Sequence, residues 1–129
     1  MIKANKLTVI PLGALTVLIF VLSSFPGNEL PPLDFYLGDK LAHVSVFFVY
    51  GLACQLAIIG WKPAASRKKV RLYSLILGAL WGALDEVHQS FVLNRDASVY
   101  DWLADISGLA LSLLFTAVIY KLVFRASRA

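Results

Sequence analysis

Charge is scarce in this sequence. Lysine, arginine, aspartate and glutamate together make up 16% of the 129 residues, whereas soluble domains usually carry about 25%. Hydrophobic residues make up 59%, and the mean hydropathy is strongly positive. This composition argues against an ordinary soluble domain. It predicts a single domain, residues 1–129, whose surface mostly faces the lipid bilayer.

Cysteine and repetition are scarce as well. The single cysteine, Cys54, lies within an apolar run, so the chain has neither an intrachain disulfide nor a cysteine metal cluster. The sequence contains no internal repeat, and no broken helix is indicated. Because secondary transporters are typically built from such features, a proton-coupled carrier ranks last among the functions considered.

Four hydrophobic segments are long enough to cross a membrane. They cover about residues 7–24, 40–59, 72–93 and 100–123. At a rise of about 1.5 Å per residue, even the first segment just spans a hydrocarbon core of roughly 30 Å. A cleaved signal peptide is the alternative for the first segment, but no A-x-A site follows it, which favours a retained helix. Asp39 is the predicted N-cap of the second helix.

The charges are divided between the two ends of these segments. Ten of the twelve lysines and arginines lie before the first segment, between the second and third, or in the C-terminal tail from Lys121 onward, and only Lys40 and Arg95 lie elsewhere. All eight acids lie on the side of these two residues. The positive-inside rule therefore predicts an all-α, four-helix transmembrane bundle with both termini cytoplasmic and an acidic face outward. The same rule explains the net charge of +4 without a nucleic-acid partner.

Two adjacent acids, Asp85 and Glu86, lie deep in the predicted third helix. They come about 20 Å from its cytoplasmic start at about 1.5 Å per residue. An aspartate inside a membrane helix costs about 2.5 kcal/mol or more, so ionisable residues there are candidates for function. Gly82, Asp85 and Gln89 fall on one helix face, which predicts that the polar side chains point into the bundle.

Polar residues on the other helices are spaced to meet this face. Asp39 and His43 are four residues apart, and so are Asp101 and Asp105, so each pair stacks on one side of its helix. We therefore expect one outward-facing polar pocket. Its predicted ligand-binding residues are Asp39, Lys40, His43, Asp85, Glu86, Gln89, Arg95, Asp101 and Asp105.

The order and spacing of these residues resemble the VanZ-like family of small bacterial membrane proteins. The matching pattern is Asp39-Lys40-x-x-His43, then Asp85-Glu86-x-x-Gln89 followed by Arg95, then Asp101-x-x-x-Asp105-x-x-Gly108. It covers over half of the chain, although many members have Asn at the position of Asp105. The resemblance implies a multi-helix protein of the cell envelope, in the bacterial cytoplasmic membrane. The founding member is associated with low-level resistance to the glycopeptide antibiotic teicoplanin, but a family alone does not fix a function.

Two functions fit the predicted pocket. The first is a binding or accessory protein that holds an envelope lipid head group, a cell-wall precursor or a related ligand. Arg95 and Lys40 would then pair with phosphate or carboxylate, and the acids with ammonium or hydroxyl groups.

The alternative is an intramembrane hydrolase or transferase that acts on such a head group. Glu86 would be its general acid or base, His43 a second proton carrier or metal ligand, and Arg95 the group that stabilises developing charge. A divalent metal held by His43, Glu86 and one of Asp101 or Asp105 is chemically compatible with these ligand types. No H-E-x-x-H pattern is present, so the sequence assigns no metal ligand and names no cofactor.

Overall fold

The computed structural model describes residues 5–29 and 37–126, and every regular element in these ranges is helical. The elements are a 3-10 turn at Lys6–Val9, α1 (Ile10–Ser23), a 3-10 turn at Gly27–Glu29, α2 (Gly38–Trp61), α3 (Arg67–Gln89), α4 (Val99–Ser112), a 3-10 turn at Leu113–Phe115, and α5 (Thr116–Ala126). The first 3-10 turn continues into α1, and α4 continues through its 3-10 turn into α5. The described chain therefore forms four long helices, which confirms the predicted all-α class and helix number.

Serine side chains cap two of these helices. Ser66 accepts a hydrogen bond from a backbone amide in the first turn of α3, and Ser98 does the same for α4. The predicted cap at Asp39 is wrong. α2 begins one residue earlier, at Gly38, and its N-cap is Leu37, whose φ of 69° is left-handed. Asp39 lies in the first turn of α2 instead, where its negative charge interacts favourably with the helix dipole.

α3 begins and ends earlier than predicted. The sequence placed the third span at about 72–93, whereas the helix covers Arg67–Gln89. The basic residues that hydropathy places before the third span form the first turns of α3. The helix begins there because the side chain of Ser66 caps its N-terminus. As a result Asp85 and Glu86 lie in the last turn of α3, about 6 Å from its end.

Three of the four long helices are long and apolar enough to cross a membrane: Lys6–Ser23, Gly38–Trp61 and Val99–Arg125. The chain is therefore a small multi-span membrane protein. α3 is less apolar on average because it begins with basic residues and ends with acids. Its outward face is nevertheless apolar, with exposed Leu72, Tyr73, Ile76, Leu77, Leu80, Leu84 and Val87.

α2 is the central helix and packs against α1, α3, α4 and α5. Its approach to α4 is close at Gly108, where an added Cβ would lie 2.2 Å from the carbonyl oxygen of Val44. A Cβ added at Gly78 of α3 would lie 2.4 Å from the side chain of Leu109, and one added at Gly51 of α2 would lie 2.2 Å from Oγ of Ser112. Glycines at such contacts let membrane helices approach closely. This packing brings the polar faces of α2, α3 and α4 together.

Candidate functional site: a polar cavity at one end of the bundle

All nine predicted site residues lie at the same end of the helix bundle, where α1 and α3 end and α2 and α4 begin. Five of them are acids or amides that are more than nine-tenths buried: Asp85, Glu86, Gln89, Asp101 and Asp105. The antiparallel arrangement of α2, α3 and α4 produces this clustering, since residues near the start of one helix meet those near the end of the next.

A cavity of about 200 Å³ opens between α1, α2 and the end of α3. Since one water occupies about 30 Å³ of liquid, the cavity has room for a group as large as a phosphate. Part of its wall is apolar and is formed by α1 and α2, including Ile19, Val46 and Phe47. The polar residues that line it are Ser23, Asp39, His43, Asp85, Gln89 and Arg95.

The carboxylate of Asp85 is hydrogen-bonded on both oxygens. The Ser23 hydroxyl lies 2.5 Å from Oδ1, and the Gln89 amide nitrogen donates to Oδ2 at 2.8 Å. The contribution of Ser23 was not predicted. Its spacing offered a clue, because Thr16 and Ser23 are seven residues apart and so share one face of the otherwise apolar α1. Thr16 uses this face to reach Tyr50 of α2, at 3.1 Å between the hydroxyl oxygens.

Lys40 joins two acids at the start of α2 and α4. Its Nζ lies 2.9 Å from Oδ2 of Asp39 and also forms an ion pair with Asp101. The side chain of Asp39 is 64% exposed, whereas that of Asp101 is buried. Lys40 therefore compensates the buried charge of Asp101, and its predicted contact with a ligand stays a prediction.

Arg95 lies beside the cavity and caps the end of α1. Its Nε donates to the carbonyl oxygen of Phe25 at 3.2 Å, and its Nη2 donates to that of Leu22 at 3.0 Å. A cation at these carbonyls is favoured by the helix dipole. Within residues 5–29 and 37–126, Arg95 has no carboxylate within ion-pair distance. Its charge is therefore available to an anion in the cavity.

His43 connects α2 to the most buried acid of the site. Its Nδ1 lies 2.8 Å from Oδ1 of Asp105, and its Nε2 lies 4.0 Å from Oδ1 of Asp39. The neighbouring Glu86 accepts a hydrogen bond of 2.9 Å at Oε2 from the backbone amide of Ser98. The second oxygens of both buried acids, Oδ2 of Asp105 and Oε1 of Glu86, have no hydrogen-bond partner among the described residues.

Two groups of three residues have ligand atoms close enough to hold a metal ion. In each group these atoms lie within 4.8 Å of one another. One group is His43, Glu86 and Asp105, and the other is Asp39, His43 and Asp101.

A second polar layer lies further along the bundle. The side chain of Gln55 is fully buried and donates to the carbonyl oxygen of Ser112 at 3.0 Å. Thr116 donates to the Gln55 carbonyl oxygen at 2.6 Å, and Arg71 of α3 donates to the Thr116 hydroxyl at 3.2 Å. These hydrogen bonds give the buried polar groups partners and link α2, α3 and the helix formed by α4 and α5.

The chain is similar to a protein of another organism. The chain is 28% identical over 109 residues to an uncharacterized protein of the fission yeast Schizosaccharomyces pombe. The similar region covers 84% of this chain but 64% of that relative, so the chain spans less than two thirds of its length. No family model matches the chain, and no solved structure matches it. Because this relative is eukaryotic, the bacterial location stays a prediction.

Proposed function

We propose that the chain is a four-span membrane protein whose polar cavity binds the head group of an envelope lipid or of a lipid-linked cell-wall precursor. The resemblance to the VanZ-like family implies a multi-helix protein of the cell envelope, and the head-group ligand is inferred from the composition of the cavity. One observation carries the proposal: a cavity that contains a cation and acids lies at the end of a bundle whose outer surface is apolar.

The packing of α3 supports a fourth span. The helix has 23 residues, which corresponds to about 34 Å and matches a bilayer core of roughly 30 Å. It lies alongside α4 and α5, because Trp102 donates to the Ala79 carbonyl at one level and Arg71 donates to Thr116 at another. With four spans both termini lie on one side, and the distribution of lysine and arginine favours the cytoplasmic side.

The chemistry of the cavity fits an amphiphilic ligand. The guanidinium of Arg95 suits a phosphate, which binds arginine by charge-assisted hydrogen bonds. The exposed carboxylate of Asp39 suits an ammonium or hydroxyl group on the same head. The apolar wall at Val46 and Phe47 suits the first carbons of an acyl chain. A lipid that enters from the bilayer would meet all three features together.

Native mass spectrometry of the purified protein tests this proposal. The protein would be reconstituted in phosphatidylcholine nanodiscs that contain phosphatidylglycerol or phosphatidylethanolamine, and the retained lipid would be counted after release. Arg95→Gln should reduce retained phospholipid about tenfold or more, since a hydrogen bond to a charged group contributes about 1.5–3 kcal/mol. Arg125→Gln is the matched control, because Arg125 is exposed at the far end of α5. Equal retention by both variants would exclude binding through Arg95.

The contact between His43 and Asp105 supports an intramembrane enzyme as the second candidate. A histidine oriented by a carboxylate, with Glu86 beside it, is an arrangement that transfers protons in hydrolases and transferases. In that case Glu86→Gln would retain bound lipid but form no product when incubated with the same nanodiscs. Lipid mass spectrometry distinguishes this result from a pure binding protein, whose wild type would form no product either.

A further inference from the structure

We propose that His43, Glu86 and Asp105 form a binding site for a divalent transition-metal ion, zinc or manganese. The three side chains come from α2, α3 and α4, and each offers a ligand atom within 4.8 Å of the other two. The proposal concerns the ion itself, so it does not depend on which lipid enters the cavity.

Two buried oxygens indicate that a cation belongs at this position. Asp105 is fully buried and Glu86 is 7% exposed, yet Oδ2 of the first and Oε1 of the second have no hydrogen-bond partner within the described residues. A buried polar atom without a partner costs about 1–3 kcal/mol, and more when it is charged. Both oxygens belong to the same group of three side chains. A metal ion bound by these two carboxylates would supply the positive charge that they lack.

Neighbouring contacts hold the ligands in place. The backbone amide of Ser98 donates to one oxygen of Glu86, an outer contact of the kind that typically orients a metal ligand. His43 and Asp105, both proposed ligands, already contact each other, with 2.8 Å between Nδ1 and Oδ1. The glycine at position 82 lets Asp105 pack closely against α3, since a Cβ there would lie 2.9 Å from Oδ2.

The ligand types select the metal. One imidazole and two carboxylates are a mixed nitrogen and oxygen set that suits zinc or manganese. Three protein ligands also leave a coordination position open, as in catalytic zinc sites. Because His43 lines the cavity, we expect the open position to face it, where water or a phosphate oxygen could coordinate.

In the other group of possible ligands, Asp39, His43 and Asp101, the negative charge of the acids is already compensated. Asp39 and Asp101 also lie near His43, but the ammonium of Lys40 is paired with both acids. Asp39 is also largely exposed to solvent. The position between these two acids is therefore occupied by a cation of the protein itself, whereas no lysine or arginine of the described chain is paired with Glu86 or Asp105.

Metal titration of the full chain in detergent tests the site. The protein would be stripped with a chelator, dialysed against Zn²⁺ or Mn²⁺ alone, and analysed by elemental mass spectrometry. We expect one ion per wild-type chain. Glu86→Gln and Asp105→Asn keep the side-chain size but remove a charged ligand, so each should weaken binding about 100-fold or more, beyond the 10–100-fold typical of outer contacts. Asp101→Asn changes the competing group alone and should change affinity by less than about tenfold, the lower limit for outer contacts.

Three results would overturn the proposal. They are a wild-type chain that binds neither ion, equal affinity in wild type and Glu86→Gln, or a loss of the ion in Asp101→Asn alone, which would assign it to the competing group. If the ligand variants do not fold, Zn²⁺ must still raise the Tm of the wild type, because a ligand of the folded state stabilises it. An unchanged Tm in that case excludes the site. Arg95→Gln should bind the ion normally, so failure of lipid binding and failure of metal binding are separate results.

Discussion

The hydroxyl of Ser23 donates a hydrogen bond of 2.5 Å to Oδ1 of Asp85, although 62 residues separate the two. This contact joins the end of α1 to the end of α3 at the wall of the cavity. The same hydroxyl also lies 2.7 Å from the carbonyl oxygen of Ile19. α1 is therefore part of the site as well as a membrane span.

Replacement of Ser23 by alanine should destabilise the protein by about 1–3 kcal/mol, because Asp85 loses one of its two donors in a buried position. Unfolding of the detergent-purified protein by heat or by sodium dodecyl sulfate measures the effect. Ser24→Ala is the control: the same chemical change at the next residue removes contacts with the Phe20 carbonyl and with His88, but because Ser24 is exposed and water can replace them, the cost should be under about 0.5 kcal/mol. Equal losses would mean that the contact with Asp85 contributes nothing.

Replacement of Gly108 by alanine should force α2 and α4 apart, since the new Cβ would lie 2.2 Å from the carbonyl oxygen of Val44. Overpacking of this kind costs about 1–3 kcal/mol. Gly13→Ala provides the comparison, because a Cβ there meets nothing within 4 Å. It should raise stability by about 0.5–1 kcal/mol through the helix propensity of alanine. Thermal unfolding of the two variants should therefore shift in opposite directions.

Replacement of Lys40 by methionine should leave the buried carboxylate of Asp101 without a cation. The expected loss is about 1–3 kcal/mol, below the 3–5 kcal/mol of a fully buried pair because Lys40 is partly exposed. The double variant Lys40→Met, Asp101→Asn should recover much of this loss. A double-mutant cycle measures the coupling, and a coupling energy near zero would contradict the ion pair.

Cysteine labelling should locate the two ends of the bundle. Cys54 is fully buried, so a membrane-impermeant maleimide should not label the natural chain before it is unfolded. Ala97→Cys, in the exposed connection beside the cavity, should react in intact cells. Lys68→Cys, at the exposed start of α3, should react after permeabilisation alone. The reverse pattern would place the cavity on the cytoplasmic side.

Much of the architecture could be predicted because it depends on quantities that local sequence contains. The length of an apolar run predicts a span, and a spacing of four places Asp101 and Asp105 on one helix face. The start of α3 could not be read from hydropathy, because Ser66 caps the helix before its basic residues. Which side chains pair with each other within the site could not be predicted either. That His43 meets Asp105 while Lys40 meets Asp101 depends on how α2 and α4 are rotated against each other, and no local pattern contains that rotation.

The polar inward face of α3 affects how this helix inserts into the membrane. Asp85, Glu86 and Gln89 obtain their buried environment from neighbouring helices, and Asp105 of α4 is synthesised after all three. If α3 spans the membrane as proposed, an isolated α3 would expose these groups without their partners about one turn from its end, where a charged residue costs less than the about 2.5–3.5 kcal/mol of the helix centre. We therefore expect α3 to stay beside the membrane insertion machinery until α4 emerges, so that the two helices enter the lipid as a pair.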